Sequence, residues 1–385
     1  MNDRRSQLVL IGAGHAHLHV LKHWAEHICH GVDLTLISPY PAQIYSGMIP
    51  GWLAGDYDMS ACEIPIAPWV KASGARWIQD RCVALDVHER TITLRDAAHK
   101  PIKFDWLSID SGSSMSLEQL EQLMPGAKGR VLPIRPMEQF AQYWDKAVQA
   151  AAQRSIAVTV IGGGAAGVEL ALAAKRKLLS THAHASVTLL SGSAPLLSSY
   201  PTGVGATAKR ALARAGVQLF PHRCIEVQDG VLVLDNGLQL SCDLPIVATG
   251  SMPPPWLANS GLKLDARGFI AVNAHQQSTS HMRVFAAGDV ATRVDAPHPK
   301  SGVYAVRSGA MLGPNLWAAI QNLPLKTYTP PKYTLNLLNT ADGKAIASYG
   351  PWSVSGKWAW RWKDRIDQAF MQGFRNVAQT TRNKA

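Results

Sequence analysis

Apolar residues in this chain fall into short runs and longer stripes that alternate between strand and helix spacing. Residues 8–11 form a compact apolar run ending at a glycine turn, and 15–29 continue with apolar positions three and four apart, the spacing that lines one face of a helix. A second short run, 33–37, reads as the next strand. The same order returns about 150 residues later, with a strand at 157–161, a turn at 162–167, a helix at 168–179 and a strand at 187–190. Two such units so far apart predict two nucleotide-binding lobes, each built on a parallel sheet. Between them, 104–110 reads as a buried strand, and 136–152 as a helix with proline in its first turn. Two more apolar strands, 243–249 and 283–287, each lead to a glycine. Runs at 333–338 and 344–349 flank Ala341-Asp342-Gly343, a hairpin signal, and a Trp-rich basic helix follows.

The expected fold class is therefore α/β: two Rossmann-like dinucleotide-binding domains plus a small C-terminal α+β region. The expected division is 1–115 and 246–328 for the first lobe, 116–245 for the second, and 329–385 for the appendage. A length of 385 residues suits two domains with an addition, and 47% hydrophobic residues with 31 Gly and 23 Pro suit a loop-rich globular enzyme.

The first turn reads Gly12-Ala13-Gly14-His15-Ala16-His17. Gly12 permits the bend, and Gly14 lets backbone N–H groups at the positive helix end approach a diphosphate. The third glycine of such motifs is replaced by His17, so the turn taken alone is equally readable as an ordinary strand-to-helix bend. Ser38 stands where an acidic residue usually holds the adenosine ribose. The second turn, Gly162-Gly163-Gly164-Ala165-Ala166-Gly167, keeps all three glycines and is the stronger signal. At its ribose position stands Ser191, with neither a carboxylate nor an adjacent Arg in sequence, leaving NADH and NADPH both open.

With these motifs in place, the chain resembles the glutathione-reductase-like superfamily of FAD and NAD(P) oxidoreductases, in outline the type II NADH dehydrogenases. More narrowly it is similar to the pyridine nucleotide-disulfide oxidoreductase-like family found alone or fused ahead of selenide, water dikinase. The match is carried by the two glycine turns, Tyr45-Ser46-Gly47-Met48-Ile49-Pro50-Gly51, residues 107–113 with Gly112, Ala248-Thr249-Gly250, Ala286-Ala287-Gly288-Asp289, residues 299–307 and residues 360–371. The resemblance implies FAD at the first turn, with His15, Ala16, His17, Ser38, Tyr45, Ser46 and Gly47 along its path and Asp289 on its ribityl hydroxyls. Helix capping is the plainer role for Asp289. Ser301, Gly302 and Val303 would begin a helix whose positive end faces the flavin. Lys300 either adds charge there or is solvated, and Glu169 either lies near the nicotinamide or is only a helix residue. Both are carried as catalytic candidates. The implied activity is hydride transfer from NAD(P)H to FAD and onward to a small-molecule acceptor, with a quinone as one option. A flavin-bound sensing module linked to selenium metabolism is the alternative.

Departures from the family narrow the chemistry. The segment 45–51, where disulfide reductases resemble this chain but carry a redox Cys pair, has no Cys. Nor does any Cys follow Cys242, which argues against a sulfide:quinone mechanism. Val303 and Arg307 replace the glutamines that type II NADH dehydrogenases place beside the quinone. Five scattered cysteines without close spacing argue against a disulfide framework. His15, His19, His23 and His27 repeat every four residues, either as a surface stripe or a metal face, and no metal is assigned.

The formal charge of +11 changes the picture only at the end of the chain: residues 357–385 hold seven basic side chains against Asp364 and Asp367. No nucleic-acid module is recognisable, so nucleic acid is not an expected partner. Trp358, Ala359, Trp362, Ile366, Ala369, Phe370, Phe374 and Val377 share one helical arc interrupted by Lys363. That arc suits either an anionic membrane surface or packing on the flavin lobe or a second copy. The apolar run before Gly12 is too short for a signal peptide, and no stretch is long enough to span a membrane. The expected location is cytoplasmic, with a peripheral membrane contact as an option.

Overall fold

Strands whose residues are apolar on both faces need cover on both faces, and in the computed structural model both glycine-turn units meet this with parallel sheets between helical layers. The structure describes residues 5–27, 29–181, 185–375 and 377. The first sheet has the order Val284–Ala286, Trp106–Ile109, Ser6–Ile11, Val32–Ile37, Arg76–Ile78, all parallel. The second repeats it with Leu132–Pro133, Leu244–Val247, Ala157–Ile161, Ser186–Leu190, Gln218–Phe220. In each unit a three-stranded antiparallel sheet, beginning at Cys82–Asp86 or Cys224–Gln228, precedes the return strand. The fold is thus α/β, and the repeat read from the sequence is a repeat of architecture.

Four helices position the site: α1 (His15–Glu26), α2 (Ala165–Thr181), α3 (Gly302–Ile320) and α4 (Lys357–Arg375). Helices α1 and α3 cross closely because α3 presents glycines. A Cβ on Gly309 would lie 2.6 Å from Ala16 Cα, and one on Gly313 would lie 2.9 Å from His23 Cβ. Helix α2 begins inside the second glycine motif rather than after it, as expected of amides that point along a helix axis.

The C-terminal region forms an antiparallel sheet, Asn336–Asn339, Ala345–Tyr349 and Trp352–Gly356, whose third strand runs straight into α4. Here the structure corrects the single apolar arc. Ala359, Lys363, Asp367, Met371 and Phe374 are the buried stripe, while Trp358, Trp362 and Ile366 are 50%, 44% and 42% exposed. The helix is rotated toward its charged interruption because Lys363 and Asp367 neutralise one another at 2.6 Å and can be buried together. Among the described residues, no helix is long and apolar enough to cross a membrane.

Candidate cofactor cleft

The first glycine turn is held by a residue the motif does not contain. Gly12 has φ +88°, and a Cβ there would lie 2.4 Å from the Asp110 carbonyl oxygen. A Cβ on Gly14 would lie 2.5 Å from Asp110 Oδ2. That same oxygen accepts the backbone N–H groups of Ala16 (2.7 Å) and His17 (2.9 Å), capping α1 from the end of the neighbouring strand. Burial pushes the Asp110 carboxyl up to about 8, with Asp289 adding to the rise and the two amides opposing it.

His17 does not reach the cavity. Its ring is fully buried, with Nδ1 2.5 Å from the Gly12 carbonyl oxygen and Nε2 2.8 Å from Ser108 Oγ, bracing the turn against the sheet. In the second lobe the corresponding Gly167 is obligatory, since a Cβ would sit 1.8 Å from the Gly162 carbonyl oxygen. The two turns thus reach similar paths by different means, which is why the first looked degraded. The histidine stripe is not a surface feature at its start: His15 packs edge-on to Tyr45 and His19 edge-on to Phe374. Burial lowers both imidazoles to about 4.

A cavity of about 1110 Å³ runs along this turn, a little larger than the range of about 300–1,000 Å³ usual for small-molecule and cofactor sites. One end is lined by Ser38, Arg81 and Arg95, the middle by Gly12, Gly14, His15, Gly112 and Asp289, and the far end by Ser46 and Gly302. Gly302 opens α3, whose 19 residues point their positive end at Ser46; Ser301 is its cap and Val303 lies in its first turn. Among the described residues, His15 Nε2 is buried on this lining without a hydrogen-bond partner. A crevice with a helix end at its middle, a second helix end at its far side and two arginines opposite has room for a dinucleotide of the size of FAD. Arg81 and Arg95 escaped the sequence reading because they arrive from the antiparallel insertion.

Asp289 is engaged by Arg135 at 3.0 Å, and Arg135 also donates to Ser251 Oγ. Lys300 is turned from the cavity: its ammonium donates to the Ala291 carbonyl oxygen and to Thr292 Oγ1 (2.9 Å) and lies 4.0 Å over the Phe269 ring. Burial lowers its pKa to about 8, against the raising influence of Asp289.

At the far end, four elements converge. Tyr45 donates to Asp367 Oδ1 at 3.1 Å and stacks on Phe370 with ring centres 4.5 Å apart. Lys363 donates to Asp367 Oδ2 and to the Gly47 carbonyl oxygen. Glu169, one turn into α2, accepts the N–H of Asn339 at 2.7 Å, and burial raises its carboxyl to about 7 with Lys363 opposing. Sequence reasoning missed Lys363 and Asp367 as site residues. The signal was present as a Lys in an apolar stripe with Asp four positions on.

In the second turn Gly162 closes on Ala248, next to Thr249 and Gly250, and Gly163 closes on Ser191. Gly164, Ala165 and Ala166 lead into α2. Ser191 donates to the Gly192 carbonyl oxygen at 3.3 Å. No Arg adjoins it in sequence, but the fold brings one near: Arg223 Cγ is 3.8 Å from where a Cβ on Gly192 would be, and the guanidinium pairs with Asp235.

The family model for pyridine nucleotide-disulphide oxidoreductases matches residues 6–309. The chain belongs to this family. An alternative NAD(P)H-ubiquinone oxidoreductase C1 of Arabidopsis thaliana is 24% identical over 367 residues, covering 84% of this chain and 69% of the relative. The demethylphylloquinone reductase NdbB of Synechocystis is 22% identical over 350 residues, covering 84% and 82%. The solved structure of NDH2 from Plasmodium falciparum in complex with NADH superposes with a TM-score of 0.79 at 12% identity, covering 98% of this chain and 99% of that one.

This pyridine nucleotide-disulphide oxidoreductase is an FAD- and NAD(P)H-dependent enzyme. All five of its cysteines are buried and unbridged, and the thiol nearest the 45–51 segment, Cys62, is pushed up to about 12 by burial.

Proposed function

We propose that this enzyme transfers electrons from NAD(P)H on the second lobe, through FAD on the first, to a quinone delivered from a membrane surface. The observation that carries the reading is the two-sided character of α4. Its inner face carries Lys363 and Asp367 onto Tyr45 and Gly47 at the flavin end. Its outer face offers Trp358, Trp362 and Ile366, continuous with Trp352 (77% exposed) and Val354 around an apolar hollow of about 470 Å³. Arg361 and Arg365 are exposed on the same helix. Exposed Trp beside basic residues suits the boundary of an anionic bilayer.

Bound FAD supplies a carrier that accepts hydride from the nicotinamide and releases electrons to the acceptor. The chain's own residues supply the rest. The positive end of α3 favours negative charge at the far end of the cavity. Quinone reduction by NAD(P)H consumes one proton beyond the hydride, and Glu169, raised to about 7, holds one on its carboxyl near neutral pH. The reductase names of the relatives favour turnover over a sensing module.

The protein should be yellow and bleach anaerobically with NADH or NADPH, then recolour on adding a soluble quinone. It should sediment with vesicles containing anionic lipid, and Trp352→Ser/Trp358→Ser/Trp362→Ser should stay in solution while still oxidising NAD(P)H with a soluble quinone. A protein that never takes up FAD would remove the reading. Vesicle-independent behaviour with self-association would assign the Trp face to a second copy instead.

A further inference from the structure

Asp110 is a buried carboxyl that the electron path does not use, and it sits where the cofactor's own charge must go. One of its oxygens already accepts two amides at the start of α1, Ala16 and His17. The group is wedged between two glycines: a Cβ on Gly14 would lie 2.5 Å from Oδ2, and one on Gly288 would lie 2.5 Å from Oδ1. It lines the same cavity as Gly12, His15 and Asp289 and is 3% exposed. The helix end that a diphosphate seeks is thus shared in advance with a protein acid.

We propose that Asp110 makes FAD uptake proton-linked: the cofactor's diphosphate enters with Asp110 protonated, and an ionised Asp110 opposes it. This rests on the FAD reading above and adds a residue outside the glycine motif that sets cofactor retention. Like charges brought together without a counter-ion disfavour one another's ionised forms. Ala16 and His17 donate to a carboxyl oxygen in either state, so protonation leaves the α1 cap in place and adds an O–H donor.

The other groups facing this carboxyl do not remove the conflict. His15 and His17 on α1 are held neutral through the physiological range by burial. Asp289, on the turn after Gly288, is a second acid, and its charge is engaged by Arg135. Lys300 lies beyond Asp289, bonded to Ala291 and Thr292, and titrates in the same window, so it needs its own control. With Asp110 raised to about 8 in the free protein, affinity should be level below that pH and weaken about tenfold per unit above it.

The test measures FAD binding to stripped protein by flavin fluorescence between about pH 6 and about pH 9, with calorimetry in buffers of different ionisation enthalpy to count protons. Wild type should bind about tenfold more weakly at about pH 9 than at about pH 7 and take up close to one proton at the higher pH. Asp110→Asn should bind with a flat profile and no uptake, whereas Lys300→Gln should keep the wild-type slope. If stripped protein does not stay folded, release of FAD from the holoprotein after an upward pH jump gives the same comparison, with Asp110→Ser as a second variant that retains an acceptor for the α1 amides. Equal slopes in wild type and Asp110→Asn, or loss of the slope only in Lys300→Gln, would overturn the proposal. Absence of FAD binding at every pH would instead overturn the cofactor reading on which it rests.

Discussion

Replacing Asp367 with Ala should loosen the helix that covers the flavin end. In the wild type the Lys363 ammonium lies 2.6 Å from Asp367 Oδ2, with Lys363 9% and Asp367 4% exposed. Asp367 also accepts from Tyr45, while Lys363 also donates to Gly47. Removing the acid leaves a buried cation with one carbonyl partner, a change that typically costs about 3–5 kcal/mol. Replacing both members with apolar residues of similar size is typically neutral, so Lys363→Met/Asp367→Leu should recover most of the loss. The cost falls on α4 first, because the pair's other partners, the Tyr45 hydroxyl and the Gly47 carbonyl, are what tie α4 to the 45–48 segment. Limited proteolysis after Gly356 with a parallel thermal melt reads this directly: Asp367→Ala should release α4 far faster than wild type, and the double variant should be protected again. A single variant as resistant as wild type, or a double variant no better than the single, would refute the claim that the pair is buried and mutually dependent.

Gly14→Ala should lose at least about tenfold in FAD affinity, a penalty of about 1.4 kcal/mol, because the new methyl meets the Asp110 carboxyl at 2.5 Å; flavin content per protein after purification checks it. Burial raises Glu169 from 4.5 to about 7, so its folded-state preference is for the protonated form, and wild-type stability should decline as pH rises through that interval. Glu169→Gln, which cannot ionise, should show a flatter melting temperature between about pH 5 and about pH 7 and a kcat that no longer falls above neutrality. Arg223→Ala should raise KM for NADPH severalfold while leaving NADH nearly unchanged, since the Arg223 side chain passes Gly192, next to Ser191 at the ribose position of the second turn. Equal effects on the two nucleotides in steady-state assays would argue against that placement.

Much of the architecture was legible because parallel sheets impose a local signature. The run at 8–11 lies within the strand Ser6–Ile11, and the run at 157–161 is the strand Ala157–Ile161. Each ends at a glycine whose Cβ would strike the backbone of a neighbouring strand. The site was legible only where backbone geometry demands a residue type. His17 looked like a defect because a third glycine was expected, and its bonds to Gly12 and Ser108 can be seen only once the sheet is assembled. The arc on α4 was drawn too wide because periodicity reports which residues share a face and not which neighbour that face meets.

From its sequence alone, this protein's two βαβ units and the absence of a cysteine pair in the 45–51 segment could be read, since these follow from chain-local spacing and residue type. Tertiary structure alone decided that Asp110 caps the first cradle, that the Arg223 side chain passes Gly192, and that Lys363 and Asp367 face inward while three tryptophans face out. Those features join residues from about 30 to more than 300 positions apart. Charge and burial act through space, and no periodicity along the chain records which distant side chain will arrive.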